Sequence, residues 1–159
     1  MEIRKATLDE ITTLMDIYDH ARQFMQSAGN VNQWINGYPS EEIIRNDIAN
    51  SNSYVCIANK EVVGVFCFFQ GDPTYAKIYE GEWLDDKPYG VVHRLASSGK
   101  LKGIADYCFN WCYQQCGNIR VDTHKDNVVL QHILKKNGYQ QCGIIYVSNG
   151  TPRIAFQKN

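Results

Sequence analysis

The sequence predicts an α/β fold on three observations. Apolar runs face each other across short turns in "YVCIANKEVVGVFCFFQ" and in "YQQCGIIYVSNGTPRIAFQ", the pattern of antiparallel hairpins. A strand, helix, strand unit runs from "GVVHRLAS" to "NIRVDTH", and amphipathic helices stand near both ends of the chain. With 159 residues, one domain over 1–159 is expected, large enough to bury a core without disulfide or metal staples.

Taken in order, "EIRKA" (2–6) reads as a strand, and Thr7 with Glu10 makes a T-x-x-E capping box for a first helix. Ile11, Leu14, Met15, Tyr18, Ala21 and Met25 keep one apolar face until "SAGN" stops it near residue 27. A loop carrying Trp34 and Tyr38 follows. Ser40 then caps a short second helix with Glu41 and Glu42 in its first turn.

Of the hairpin strands, "VVGVFCFFQ" is apolar on both faces and therefore central. "AKIYEGEWL" (76–84) is expected to form another strand, with Glu80 and Glu82 on one face by period two. "KLKGIADYCFNWCYQQ" is expected to be helical from Lys100, with Leu101, Ile104, Ala105, Cys108, Trp111 and Cys112 inward. Asp126 or Asn127 can cap the last helix, which ends at Gly138.

A net charge of -1 and the absence of a basic tail exclude a polyanion as the expected partner, so no nucleic acid is anticipated. No apolar run approaches the roughly 20 residues of a membrane span, and "MEIRKATLDE" lacks the pattern of a signal peptide, which together predict a cytoplasmic location. The six cysteines sit inside apolar patterns without a CxxC pair and read as reduced core residues. Cys108, Cys112 and Cys116 lack a histidine at ligand spacing, and Asp122, His124 and His132 match no metal motif, so no metal is expected.

Chemistry concentrates in "HRLASSGKLKGIADY". A helix N-terminus offers unpaired amides and the positive end of a dipole, and a glycine-containing entry loop with Lys100 and Lys102 at its rim could seat a pyrophosphate. Turn chemistry alone also accounts for Gly and Ser before a helix. A P-loop is excluded, because Arg94 stands where its first glycine should be and Leu101 where it needs a hydroxyl. A G-x-G-x-x-G dinucleotide fingerprint is absent.

The order of elements over the whole chain resembles that of the GNAT superfamily of acyl-CoA-dependent N-acetyltransferases. Its Q/R-x-x-G-x-G/A signature falls on Lys100 to Ala105, with Lys in the first place. Its N-x-x-A-x-x-L-Y-x-K-x-G-F pattern falls on Asn127, Leu130, Ile133, Leu134, Lys136, Gly138 and Tyr139. The resemblance implies a mostly antiparallel, twisted central sheet flanked by helices, and acetyl-CoA as cosubstrate. Backbone groups of Leu95 and Ala96 would pair with the pantetheine arm, amides of Lys100, Leu101, Lys102, Gly103, Ile104 and Ala105 would hold the pyrophosphate, and Asn127 would bind nearby. Leu134 replaces the tyrosine that in many members protonates the leaving thiolate; Tyr89, Tyr107 and Tyr146 are the substitutes considered.

Acetyl transfer to a primary amine needs the amine neutral, and a typical one is mostly protonated at neutral pH with a pKa of about 10. The candidate bases are Glu80, Glu82 and His93, with Arg94 expected on the side opposite His93. A satisfied strand-face histidine is the structural alternative for His93, and a solvated strand face that for the two glutamates. Trp34 and Tyr38 are expected to wall the site of a small-molecule or peptide amine. A noncatalytic acyl-CoA-binding or sensor module is the alternative, and an interaction domain without cofactor a third reading. Monomer and homodimer both remain open.

Overall fold

The computed structural model describes residues 1–159. Its strands are β1 (Glu2–Lys5), β2 (Ser53–Ala58), β3 (Glu61–Gln70), β4 (Gly90–Ser97), β5 (Ile119–Thr123), β6 (Gln140–Tyr146) and β7 (Pro152–Lys158). They form one seven-stranded sheet in the order β1-β2-β3-β4-β5-β7-β6. Every neighbouring pair is antiparallel except β4 and β5. The helices are α1 (Ile11–Ser27), α2 (Glu41–Ala49), α3 (Ile104–Cys116) and α4 (Val128–Lys136). No helix is long and apolar enough to cross a membrane.

The two-sided apolar run of β3 has a direct outcome. Val65 packs with Leu14, Ile17, Tyr18 and Ile44 under α1 and α2, whereas its neighbour Phe66 packs with Cys108, Phe109, Cys112 and Leu134 under α3 and α4. Alternation along a central strand thus feeds two cores at once. Large side chains buried this completely, such as Leu14, Phe66 and Phe109, contribute about 1.5–3 kcal/mol each.

Local signals position the helices as their chemistry dictates. The Thr7 amide donates to Glu10 Oε1 at 2.9 Å ahead of α1, and the Ser40 hydroxyl accepts from the Ile43 amide at 3.3 Å ahead of α2. The Asn127 side chain accepts from the Leu130 amide at 3.0 Å, which settles the cap of α4 between the two candidates.

Two expected elements are corrected. Residues 76–84 do not form a strand: the segment pairs with β6 through one isolated bridge, Tyr79 to Ile144, and one further amide bond from Glu82, and Glu80 between them takes a left-handed φ of 57° that breaks the pleat. Trp83 also turns inward, its indole donating to the Tyr75 carbonyl at 2.9 Å. Helix α3 begins at Ile104 rather than Lys100, because Gly103 in the left-handed region ends the preceding loop, and Leu101 is exposed instead of inward.

Candidate active site

Strands β4 and β5 pair only at Gly90 with Ile119 and Val91 with Arg120. Past these positions the two strands part, and a cavity of about 1070 Å³ opens along the free edge of β4. One end is lined by Leu95, Ala96, Ser97, Gly99, Lys102, Gly103 and Ala105, the other by Asp72, Thr74, His93, Asp122 and Arg153.

At the first end, the loop from Ser97 to Gly103 turns tightly into α3. Ser97 and Ser98 hydroxyls accept from the amides of Gly99 and Lys100, at 3.1 and 3.3 Å. The amides from Leu101 to Ala105 donate to no protein acceptor. This fan of N–H groups at the positive end of α3 suits the anionic pyrophosphate of a coenzyme A. Gly64 on β3 brings the turn close to the sheet: a Cβ there would stand 2.6 Å from Ile104 Cγ2. Lys100 reaches Glu61 at 3.3 Å on the surface, and Lys102 lines the cavity.

Asn127 also lines the cavity, but its amide nitrogen donates to Gln33 Oε1 at 3.0 Å while its oxygen caps α4. Gln33 belongs to the loop after α1, so this bond ties the rim of the cavity to α4. Trp34 packs between Tyr18, tilted at a ring-centroid distance of 5.7 Å, and Tyr38, edge to face at 6.2 Å, and both Trp34 and Tyr38 wall the cavity.

A bulge in β4 decides what faces the cavity. Val65 pairs with Ala96 and Cys67 with His93, so three residue steps on β4 oppose two on β3, and Arg94 takes a φ of 51°. The expected opposition of His93 and Arg94 is therefore corrected: both line the cavity and both lie against the Phe69 ring, at 5.6 Å each. The Tyr18 hydroxyl donates to the Arg94 carbonyl at 2.9 Å and holds the bulge to α1. The Arg94 guanidinium forks onto Asp47 at 2.8 and 2.7 Å and donates to the Tyr38 oxygen at 3.0 Å.

His93 has a partner that period-two reasoning could not supply. Its Nε2 lies 2.6 Å from Asp72 Oδ2, and Asp72 also accepts from the Thr74 amide at 2.8 Å. Burial opposes the Asp72 charge, but the bonds from His93 and Thr74 outweigh it and lower its pKa to about 2. An ionised Asp72 accepts from Nε2–H and leaves Nδ1 as the basic nitrogen of the ring. Nearby, the buried Tyr75 hydroxyl donates to Asp122 Oδ2 at 2.5 Å. Burial first, and the Asp122 charge second, hold the Tyr75 hydroxyl well above its ordinary pKa, so it stays a donor.

Linkage gives the Asp72 bond a measurable sign. A carboxylate lowered from 3.8 to about 2 contributes stability above the higher value, which is lost as pH falls through the lower one. The stability advantage of wild type over Asp72→Asn should therefore shrink between about pH 4 and pH 2 in urea melts. An advantage constant across that range would mean Asp72 carries no such bond.

Glu80 and Glu82 do not come to this site. Both are exposed and outside the cavity lining, on the loop held against β6 where the Glu82 amide donates to the Cys142 carbonyl at 3.0 Å. Their candidacy rested on a strand that does not form. Leu134 is fully buried in the core under α3 and α4 and is not part of the lining. Tyr89, Tyr107 and Tyr146 are likewise outside the lining, with Tyr107 spent on the Met1 carbonyl at 2.7 Å.

The sheet order and the cavity at a parted parallel pair define a fold shared with solved acetyltransferases. The fold matches that of a GNAT-family acetyltransferase from Streptococcus agalactiae 2603 with a TM-score of 0.89 and 34% identity, over 99% of this chain and 94% of that one. The chain belongs to the GNAT family of acetyltransferases. Two more distant structures share the fold. A GNAT-family acetyltransferase from Listeria monocytogenes 4b F2365 gives a TM-score of 0.73 at 16% identity, over 99% and 93% of the chains. A ribosomal-protein-alanine N-acetyltransferase from Brucella melitensis gives 0.67 at 15%, over 99% of each. Neither a family model nor a curated protein matches the sequence.

Proposed function

We propose that this single domain transfers an acetyl group from acetyl-CoA to a primary amine by direct attack. The observation that carries the reading is the His93 and Asp72 pair, opposite a fan of unpartnered amides at the head of α3 in one cavity.

The amides of Leu101 to Ala105, with Lys102 beside them, would hold the pyrophosphate, and the free edge of β4 at Leu95 and Ala96 would pair with the pantetheine amides. Acetyl-CoA supplies a thioester whose leaving group, a thiol of pKa about 8.5, needs only modest protonation. His93 Nδ1 takes the proton that the attacking amine must lose. Asp72 fixes the tautomer through Nε2–H and stabilises the imidazolium that results. Tyr38 accepts from Arg94 Nη1, which leaves its own O–H to donate within the cavity and makes it the best substitute for the tyrosine missing at Leu134. Trp34 lines the cavity beside it, edge to face with the Tyr38 ring.

Gly103→Asn tests the cofactor turn. Asparagine tolerates the left-handed φ of 80° better than other side chains, and nothing lies within 4 Å of the Cβ position, so the fold should survive. Its side chain would stand where the phosphates approach. Calorimetry should find acetyl-CoA affinity reduced at least about tenfold with circular dichroism unchanged, and Gly103→Glu, which adds a negative charge, should reduce it further. Undiminished binding in both variants would remove the turn from the cofactor site. The buried Leu134 favours one rival, an acyl-CoA-binding sensor; binding without thiol release on any amine would establish it.

A further inference from the structure

Arg153 on β7 lines the acceptor end of the cavity, is only 7% exposed, and forms no salt bridge. One nitrogen, Nη1, donates to Thr151 Oγ1 at 3.0 Å and to the Pro152 carbonyl at 2.8 Å. Nε and Nη2 have no protein acceptor, and neither is sealed away from the cavity. These two form one edge of the guanidinium, the side-on fork that matches the two oxygens of a carboxylate. A buried cation without an anion is costly unless something else pairs with it.

Its surroundings supply charge but no partner. Asp122 sits on the neighbouring strand β5, diagonal to Arg153 across the Asp122 and Ala155 pair, with Oδ2 engaged by Tyr75. His124, at the end of β5, accepts the Asp126 amide through Nδ1 at 3.0 Å, and burial together with Arg153 lowers its pKa, so it stays neutral beside the guanidinium. Burial also lowers the pKa of Arg153 itself, partly offset by Asp122. A cation fork and a carboxylate that do not bond each other suit a ligand carrying both an ammonium and a carboxylate a few bonds apart.

We infer that the acceptor amine carries a carboxylate, which docks on the Nε and Nη2 edge of Arg153 while Asp122 orients the amino group toward His93. This rests on the acetyltransferase reading and narrows it to amino-acid-like acceptors. The His93 ring lies 6.0 Å from the Tyr75 ring, whose hydroxyl holds Asp122, so the base and the carboxylate proposed to orient the amine border one aromatic side chain.

The test uses the intact protein, the twenty common amino acids, and their carboxamides as matched probes, with free-thiol release from saturating acetyl-CoA as readout. Amino acids should outperform their carboxamides at least about tenfold in kcat/KM for the best side chain, mainly through KM. Arg153→Met, which keeps the aliphatic stem, should abolish that preference and leave acetyl-CoA affinity unchanged by calorimetry. Arg153→Lys keeps the charge but loses the fork and should retain part of the preference. Carboxamides used as well as amino acids, or a preference that survives in a folded Arg153→Met, would overturn the inference. So would an acceptor found only among amines without a carboxylate, or a stronger preference for aminomethylphosphonate. Failure of the acetyltransferase reading is distinct: wild type would then bind no acetyl-CoA, or would bind it and release no thiol with any amine, whether or not the amine carries a carboxylate.

Discussion

His93→Ala is expected to lower kcat for amine acetylation by about 10²–10⁴-fold, the usual contribution of a positioned base. Acetyl-CoA affinity should stay within about twofold, since the amides that would hold the pyrophosphate lie at the other end of the cavity. Asp72→Asn should lose less. It retains the imidazole but replaces an acceptor that fixes Nε2–H with an amide that can present either end, so the ring is no longer held in one tautomer. Glu80→Gln and Glu82→Gln should leave kcat unchanged, because neither side chain reaches the cavity. Thiol-release kinetics with calorimetry on the same preparations separate these effects. A His93→Ala enzyme within a few-fold of wild-type kcat would remove His93 as the base and leave bulk water or another group to take the proton.

What could be read from the sequence divides along a physical line. Elements whose identity depends on local chemistry were legible: the capped helices, the hairpins, the strand, helix, strand unit and the two-sided β3 all follow from spacing within a window of residues. The same holds for the turn at Lys100 to Ala105, where glycine and the start of a helix are adjacent in sequence. Features that depend on register were not. His93 meets Asp72 only because β3 and β4 pair as they do, 21 residues apart in sequence. The bulge at Arg94 overturns the period-two argument at the residue where it mattered most, and nothing in "VVHRLAS" announces a left-handed residue. The segment 76–84 has strand-like composition and lies along the open edge of β6, yet the left-handed Glu80 interrupts it, leaving one bridge at Ile144 and a single amide bond from Glu82 to Cys142. No motif marks Arg153 in the sequence; its burial without an anion at the wall of the cavity is what singles it out.

Asp47→Ala is the substitution expected to cost most in stability. Asp47 is buried on α2, and its two oxygens take both prongs of Arg94 while Oδ2 also accepts from the Cys67 thiol at 3.1 Å. Removing the carboxylate would leave the guanidinium charged, since arginine does not deprotonate, and enclosed between Phe69 and α2. Breaking such a pair costs about 3–5 kcal/mol, a large share of the 5–15 kcal/mol that holds a domain of this size folded. Replacing both partners, as in Asp47→Leu with Arg94→Met, should recover much of that loss, because no charge then remains to be desolvated. Recovery of stability need not bring recovery of activity. Arg94 Nη1 also holds the Tyr38 hydroxyl at the cavity wall, so the double variant should fold yet show weakened turnover, through a loop from Trp34 to Tyr38 that has lost its anchor. Urea melts and thiol-release kinetics on the single and double variants check both halves. Equal stability of Asp47→Ala and the double variant would mean the buried charge is not the source of the cost, and full activity in the double variant would release Tyr38 from its proposed role.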